Sequence, residues 1–327
     1  MLKLRYLFDN RDLALMLLEN WKYDKDALDM LDNYRISGNA IYPYKYNGKI
    51  YFLRFTPWNN ITENEMNEEI KFIQYLNGKR LNVLKPVLSK NGNYLLAKNT
   101  PWGKYLVCAF ERVEGEQMDG FNSDGDYTDE LITGYGKMLG KLHKHSSDYG
   151  KVTKKSYFEK LEEMDIFIKD KLDNKETVRK EINEIRNLLQ KVPKNKLNYG
   201  LIHGDYELDN VFYDKNSKNY SIIDFESSIY HWYAMDVVIT LNNIKEDLPQ
   251  NDYERMEKLF INGYNEEYQI SDEEIKYFPL FERFENLRKY IGLKFSLEET
   301  WDNEPSWMLE LRDKLNKYTL KLENNFK

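Results

Sequence analysis

One change of texture restricts the fold more than any other feature of this sequence. Up to about residue 110 the chain alternates strand-like runs with turns. From about Tyr127 it is mostly helical, interrupted by one strand–loop–strand island between Leu201 and Asp224. A β-rich first part, a short connector near 110–116 and a helical remainder predict an α+β protein of two lobes, with the island set into the helical one.

In the first part, Asp9 is expected to cap a helix running to about Trp21, with Leu13, Met16 and Leu17 on one face. A strand-like series follows from about Leu28 to Thr56. Its turns are Ser37-Gly38-Asn39 and Asn47-Gly48, the second a strong two-residue hairpin signal. Thr62-Glu63-Asn64-Glu65 has the form of a capping box opening a helix that ends near Gly78. Further strands are expected around Val83–Leu88, Tyr94–Lys98 and Lys104–Phe110. Helices are expected over 127–146, 156–171, 174–191, 233–246, 251–268, 271–297 and 306–325. The Lys/Glu-rich stretch 151–196 reads as a solvated helical pair.

Composition narrows the function. A net charge of -7 argues against nucleic acid as a main partner, since neutralising phosphates takes a basic face. The N-terminal twenty residues are broken by Arg5, Asp9, Arg11 and Asp12, so they form neither a signal-peptide core nor a membrane span. A single cysteine, Cys108, excludes a disulfide framework, fits a reducing compartment and sits in an apolar run as a buried thiol. A cytoplasmic protein is expected. The oligomeric state is left open.

The island holds the chemistry. An apolar pair, Leu201-Ile202, leads into His203-Gly204-Asp205, then four residues to Asn210, then a second apolar run. Asp224 follows fourteen residues after Asn210, at the end of Tyr220-Ser221-Ile222-Ile223. The turn-rich Asp214–Asn219 between the runs predicts a hairpin that brings Asn210 and Asp224 together at one end. A carboxylate and an amide oxygen so placed are hard ligands suited to Mg²⁺ bridging phosphates. Asp205 would stand on a loop within reach of a substrate hydroxyl, the set that phosphoryl transfer needs. Each of these residues is also an ordinary turn former; it is their combination that points to function.

His203-Gly204-Asp205-(x)4-Asn210 with Ile222-Ile223-Asp224-Phe225-Glu226 resembles the aminoglycoside phosphotransferase family, which includes choline kinases and type 2 homoserine kinases. The resemblance implies the protein-kinase-like two-lobed fold, with a nucleotide-binding lobe over 1–110, a hinge at 111–116 and a helical lobe over 117–327. It implies ATP and Mg²⁺, with Asp205 as the catalytic aspartate and Asn210 and Asp224 as metal ligands. His203 would be a structural residue of the catalytic loop. Asp236 would brace that loop, although a helix-terminus carboxylate is nearly as good a reading of it.

On the nucleotide side, the resemblance puts Arg54 on the α- and β-phosphates, where many relatives have Lys, with Glu69 as its ion-pair partner. Glu65 and Glu68 on the same helix are alternatives. Gly38, in the Ser37–Asn39 turn, would cover the phosphates, and Glu111 C=O and Val113 N–H would hold the adenine. The acceptor is expected to be a small-molecule hydroxyl: an aminoglycoside, an amino alcohol, a homoserine-like compound or a sugar. Tyr206, Glu207, Asp209, Glu226 and Trp301 are its candidate contacts. Trp301 and Trp307 suit either an amine or a packed core, and Arg283 and Arg288 suit a carboxylate-bearing acceptor. An inactive kinase-fold scaffold is the alternative; a protein kinase is disfavoured because no Ala-Pro-Glu follows Asp224.

Overall fold

The computed structural model describes residues 3–121, 127–150, 153–172, 175–248 and 252–326. A 3₁₀ turn (Leu4–Tyr6) precedes helix α1 (Arg11–Leu18). Its cap is Asn10, whose side chain accepts from Leu13 N, and not Asp9. Asp9 instead accepts from the Tyr42 hydroxyl at 2.7 Å, joining the helix start to the sheet. The expected strand at residue 28 is also corrected: Lys25–Asn33 winds as 3₁₀ turns that bury Leu31.

The sheet comprises β1 (Arg35–Ile36), β2 (Ala40–Tyr46), β3 (Lys49–Pro57), β4 (Leu95–Thr100) and β5 (Gly103–Glu111), in the order β1-β2-β3-β5-β4, all antiparallel. The hairpin at Asn47-Gly48 has positive φ at both residues, 51° and 73°, as a tight primed turn requires. Alternation decides which face each residue meets. Leu53, Phe55, Val107 and Ala109 pack with α1 residues Leu13 and Leu17. Leu106, Cys108 and Phe110 point the other way, into the main core with α2 (Glu63–Gly78). Arg54 pairs in register with Cys108 and therefore belongs to this inner face.

Helix α2 begins with the expected capping box between Thr62 and Glu65. After it, residues 82–87 form no strand. They form one isolated bridge on each side: Val83 bridges Ile222, and Pro86 bridges Phe110. Ile222 N donates to Asn82 O at 3.0 Å and Val87 N to Ala109 O at 2.8 Å, so this segment sews the sheet to the island.

Beyond the connector come β6 (Glu116–Gln117), α3 (Asp129–Ser146), α4 (Tyr157–Lys171) and α5 (Glu176–Leu189). The island supplies β7 (Tyr199–Leu201), β8 (Val211–Asp214), β9 (Asn219–Ile222) and β10 (Tyr230–Trp232). Strands β8 and β9 form the expected hairpin, with Val211 opposite Ile222, whereas β7 pairs with β10. Helices α6 (Ala234–Asp247), α7 (Tyr253–Glu267), α8 (Asp272–Ile275), α9 (Phe278–Ser296) and α10 (Ser306–Glu323) complete the chain. The single helix expected over 271–297 is two, because Pro279 begins a new one. Among the described residues, no helix is long and apolar enough to cross a membrane.

Candidate active site

Between the sheet and the helices lies a cleft of about 860 Å³. Asp205, Asn210 and Asp224 all line it, as do Gly38, Glu207, Asp209 and Glu226. The hairpin explains the convergence. Asn210 immediately precedes β8, Asp224 is the second residue beyond β9, and Ile223 N donates to Asn210 O at 3.0 Å. Asn210 Nδ2 donates to Asp205 O at 2.9 Å and to Asp205 Oδ2 at 3.2 Å, which leaves its Oδ1 as the atom for a cation. Asp224 is held at φ 60°, a left-handed conformation costing a non-glycine residue about 1–2 kcal/mol.

The loop is fixed from beneath. Gly204 has φ 80°, and a Cβ there would lie 2.2 Å from Ser227 O, so glycine is required. His203 N and Gly204 N donate to the two oxygens of Asp236 at 2.7 and 2.8 Å, and His143 Nε2 lies 3.0 Å from the same carboxylate. Burial works to raise the Asp236 pKa, but these donors outweigh it and leave it lowered. Burial holds His143 below the usual histidine range, so it is a neutral ring accepting at Nδ1 from Tyr264 and donating at Nε2 to Asp236. His203 Nε2 donates to Ile223 O at 2.9 Å, tying the loop to the strand before Asp224.

The inner sheet face contributes Arg54. Its two terminal nitrogens each meet a Glu69 oxygen at 2.8 Å, in a fully buried fork, and its plane lies 5.0 Å from the Phe110 ring centroid. Glu69, not its neighbours, is the partner: Glu65 is used by Thr62 and Lys155, and Glu68 by Lys71. Among the described residues Arg54 Nε has no hydrogen-bond partner, although it is buried. The Ser37–Asn39 turn rests on the site, with Asn39 Nδ2 donating to Glu226 Oε2; a Cβ on Gly38 would stand 3.2 Å from that oxygen.

Crowding sets the protonation of the carboxylates. Burial and the neighbouring Asp224 push Glu226 up to about 7, and burial pushes Asp224 up to about 6 against the attraction of Arg54. Among the described residues, no three His, Cys, Asp or Glu side chains converge as a metal cage. Two oxygen donors, Asn210 and Asp224, suit an ion whose other ligands are phosphates and water.

The acceptor end departs from expectation at several residues. Tyr206 is fully buried, stacked on Tyr135 at 4.9 Å with its hydroxyl donating to Tyr135 O at 3.1 Å, so it braces the loop and does not line the cleft. Trp301 does not line the cleft; its ring packs near Phe8 at 6.2 Å. Arg283 is taken by Glu181 and Glu184. Glu111 and Val113 sit at the connector, outside this cleft.

Glu207 and Asp209 do stay on the wall. Burial raises Glu207 to about 7 despite Lys289 at 3.5 Å, and Asp209 meets Arg35 at 3.2 Å across the cleft. Arg288, forked onto Glu285, stands 3.5 Å from Asp205. Sequence reasoning gave Arg35, Lys289 and Lys154 no place in the site. Lys154 lies in the stretch read as solvated, yet it is buried. No local pattern marks a lysine that becomes buried only when two lobes meet.

A sheet lobe and a helical lobe meeting at a loop of this geometry define a two-lobed, protein-kinase-like phosphotransferase. The model of the phosphotransferase enzyme family, APH, matches residues 43–270, and the chain belongs to that family, whose members here are small-molecule kinases. The chain is 23% identical to the amicoumacin kinase of Bacillus subtilis (strain 168) over 299 residues, covering 88% of this chain and 85% of that one. A structure of an amicoumacin kinase in complex with AMP-PNP, Ca²⁺ and Ami superposes with TM-score 0.77 at 19% identity, covering 98% and 95% of the two chains. A microcompartment-associated aminopropanol kinase gives 0.69 at 17% identity, covering 96% and 95%.

Proposed function

We propose that this enzyme transfers the γ-phosphoryl group of ATP, with Mg²⁺, to a hydroxyl of a small amine-bearing molecule. The observation that carries the reading is the bonding of Asn210 to Asp205 at the end of the hairpin that also presents Asp224. Residues 1–110 form the nucleotide lobe, 111–116 the hinge with Glu111 and Val113 toward the adenine, and 117–327 the helical lobe. The one buried thiol, Cys108, pushed up to about 11 by burial, fits a reducing cytoplasm.

Asp205 accepts the proton of the attacking hydroxyl, oriented by Asn210 and flanked by Arg288. Arg54, braced by Glu69 behind the cleft wall, sets a positive charge on the phosphate side, and the Gly38 turn covers the phosphates. Mg²⁺, when bound by Asn210 and Asp224, neutralises the phosphate oxygens. Glu207 and Asp209 face an ammonium, while Phe284, Phe295 and Tyr318 give the cleft an apolar side for the rest of the acceptor. The name aminopropanol kinase for a structural neighbour supports an amine-bearing acceptor.

The test is a phosphorylation screen over amino alcohols, aminoglycosides, homoserine and sugars with Mg-ATP, alongside thermal melting. Mg-ATP is expected to raise the melting temperature, and Asp205→Ala to abolish transfer while keeping that shift. A chain that neither shifts nor turns over ATP would be a scaffold instead.

A further inference from the structure

We infer that Lys154 is a second phosphate-binding cation of this site, supplied by the helical lobe and directed at the γ-phosphoryl group. The inference rests on the ATP reading above. Lys154 lies in the extended segment before α4. Ser156 bridges Tyr230, and Tyr230 N donates to Lys155 O at 2.9 Å, so this backbone runs pinned beside the chain that follows Glu226.

Lys154 is 8% exposed, the one buried lysine among the described residues, and it lines the same cleft as Asp205 and Asp224. Its neighbour Lys155 shows what a satisfied lysine looks like, paired to Glu65 at 2.6 Å and also to Glu163. Lys154 makes no hydrogen bond or ion pair with any described residue. The charges that face it are Glu69, Glu65 and Glu226, which favour the ammonium, and Arg54, which opposes it. All three carboxylates are engaged elsewhere: Glu69 by Arg54, Glu65 by Thr62 and Lys155, Glu226 by Asn39.

An ammonium on a largely buried side chain with no partner is costly, and burial lowers the Lys154 pKa. An unpaired ammonium on the cleft wall, with the local carboxylates occupied, makes a site for a polyanion. Position selects the phosphate. Arg54 is withdrawn behind the cleft wall, whereas Lys154 is on that wall with the residues that meet the acceptor. The phosphate nearest the acceptor is the one transferred.

The experiment measures Mg-AMP-PNP and Mg-ADP binding by calorimetry for the unsubstituted protein, Lys154→Met and Lys154→Arg, with thermal melting of each. Lys154→Met is expected to weaken AMP-PNP about 10- to 100-fold, the range of a charge-assisted hydrogen bond, with ADP unchanged to within about twofold. It should melt no lower than the unsubstituted protein, and Lys154→Arg should retain most of the AMP-PNP affinity. In turnover, kcat should fall with the acceptor KM unmoved. Equal loss for both nucleotides, a change confined to the acceptor KM, or unchanged AMP-PNP binding overturns the inference. If the unsubstituted protein binds neither nucleotide, the ATP reading fails first and this one with it.

Discussion

Asp236 and Gly204 are joined by a hydrogen bond of 2.8 Å from the glycine N–H to a carboxylate buried beneath the Asp205 loop. The second oxygen of Asp236 takes the His203 N–H, so one side chain fixes two consecutive peptide groups ahead of Asp205. Asp236→Asn keeps the shape but replaces one acceptor with a donor aimed at an N–H. A loss of about 2–4 kcal/mol in urea unfolding is expected, with kcat down at least about 100-fold. Unfolding and turnover measured on the same preparation check it; full activity would show that the loop holds its shape without Asp236.

Gly204→Ala is a harsher change at the same place. The added methyl meets Ser227 O at 2.2 Å in a backbone already at φ 80°. The variant is expected to lose more than about 2 kcal/mol and to displace Asp205. Hydrogen exchange over residues 201–210 would show the loop opening before the helices do.

Much of this site was legible in the sequence. The spacing of Asp205, Asn210 and Asp224 forces them together once β8 and β9 pair, and a turn-rich linker between two apolar runs announces that pairing. Arg54 came only through the family resemblance; its place on the face of Cys108 and Phe110 follows from the sheet register. Tyr206 was not legible. Its position between two loop carboxylates suggests exposure, yet burial follows from Tyr135 on α3, 71 residues away. Lys154 and Arg35 were hidden likewise, because their surroundings come from the opposite lobe. The helix start was misread by one residue: Asn10 is the cap, and the Tyr42 hydroxyl claims Asp9.

Glu69→Gln tests the nucleotide side. The fork holding Arg54 is buried, and losing its negative charge leaves a guanidinium uncompensated. About 3–5 kcal/mol of stability should go. In the fraction that folds, KM for ATP should rise at least about tenfold while the acceptor KM stays. An equal change in both constants would place Arg54 away from the phosphates.

Tyr206→Phe separates bracing from recognition. Removing the hydroxyl leaves Tyr135 O without that donor, and a stability loss of about 1 kcal/mol is expected. Because the ring never reaches the cleft, the acceptor KM should remain within about twofold. A large, selective rise in that KM would return Tyr206 to the acceptor site.

His231 gives the fold a pH dependence of definite sign. Its ring is fully buried among Tyr157, Trp232, Phe281 and Phe284, and burial pushes its pKa down to about 3. In the unfolded chain it returns to about 6.5. Between those values the unfolded state holds the extra proton, so stability is complete above about pH 6.5 and declines as pH falls, by up to about 1.4 kcal/mol per pH unit. His143, also lowered, acts in the same direction. Glu207 and Glu226, both raised to about 7, act oppositely: their protons favour the native state from about pH 7 downward. His231→Phe isolates the histidine. At pH 7.5 it should cost about 1–2 kcal/mol, because Trp232 N loses the Nδ1 acceptor it holds at 2.9 Å. By pH 5.0 that deficit should vanish or reverse, since the variant no longer resists a proton there. Urea unfolding of both proteins at the two pH values decides the matter, and a deficit independent of pH would mean that His231 stays neutral in the unfolded chain or charged in the folded one.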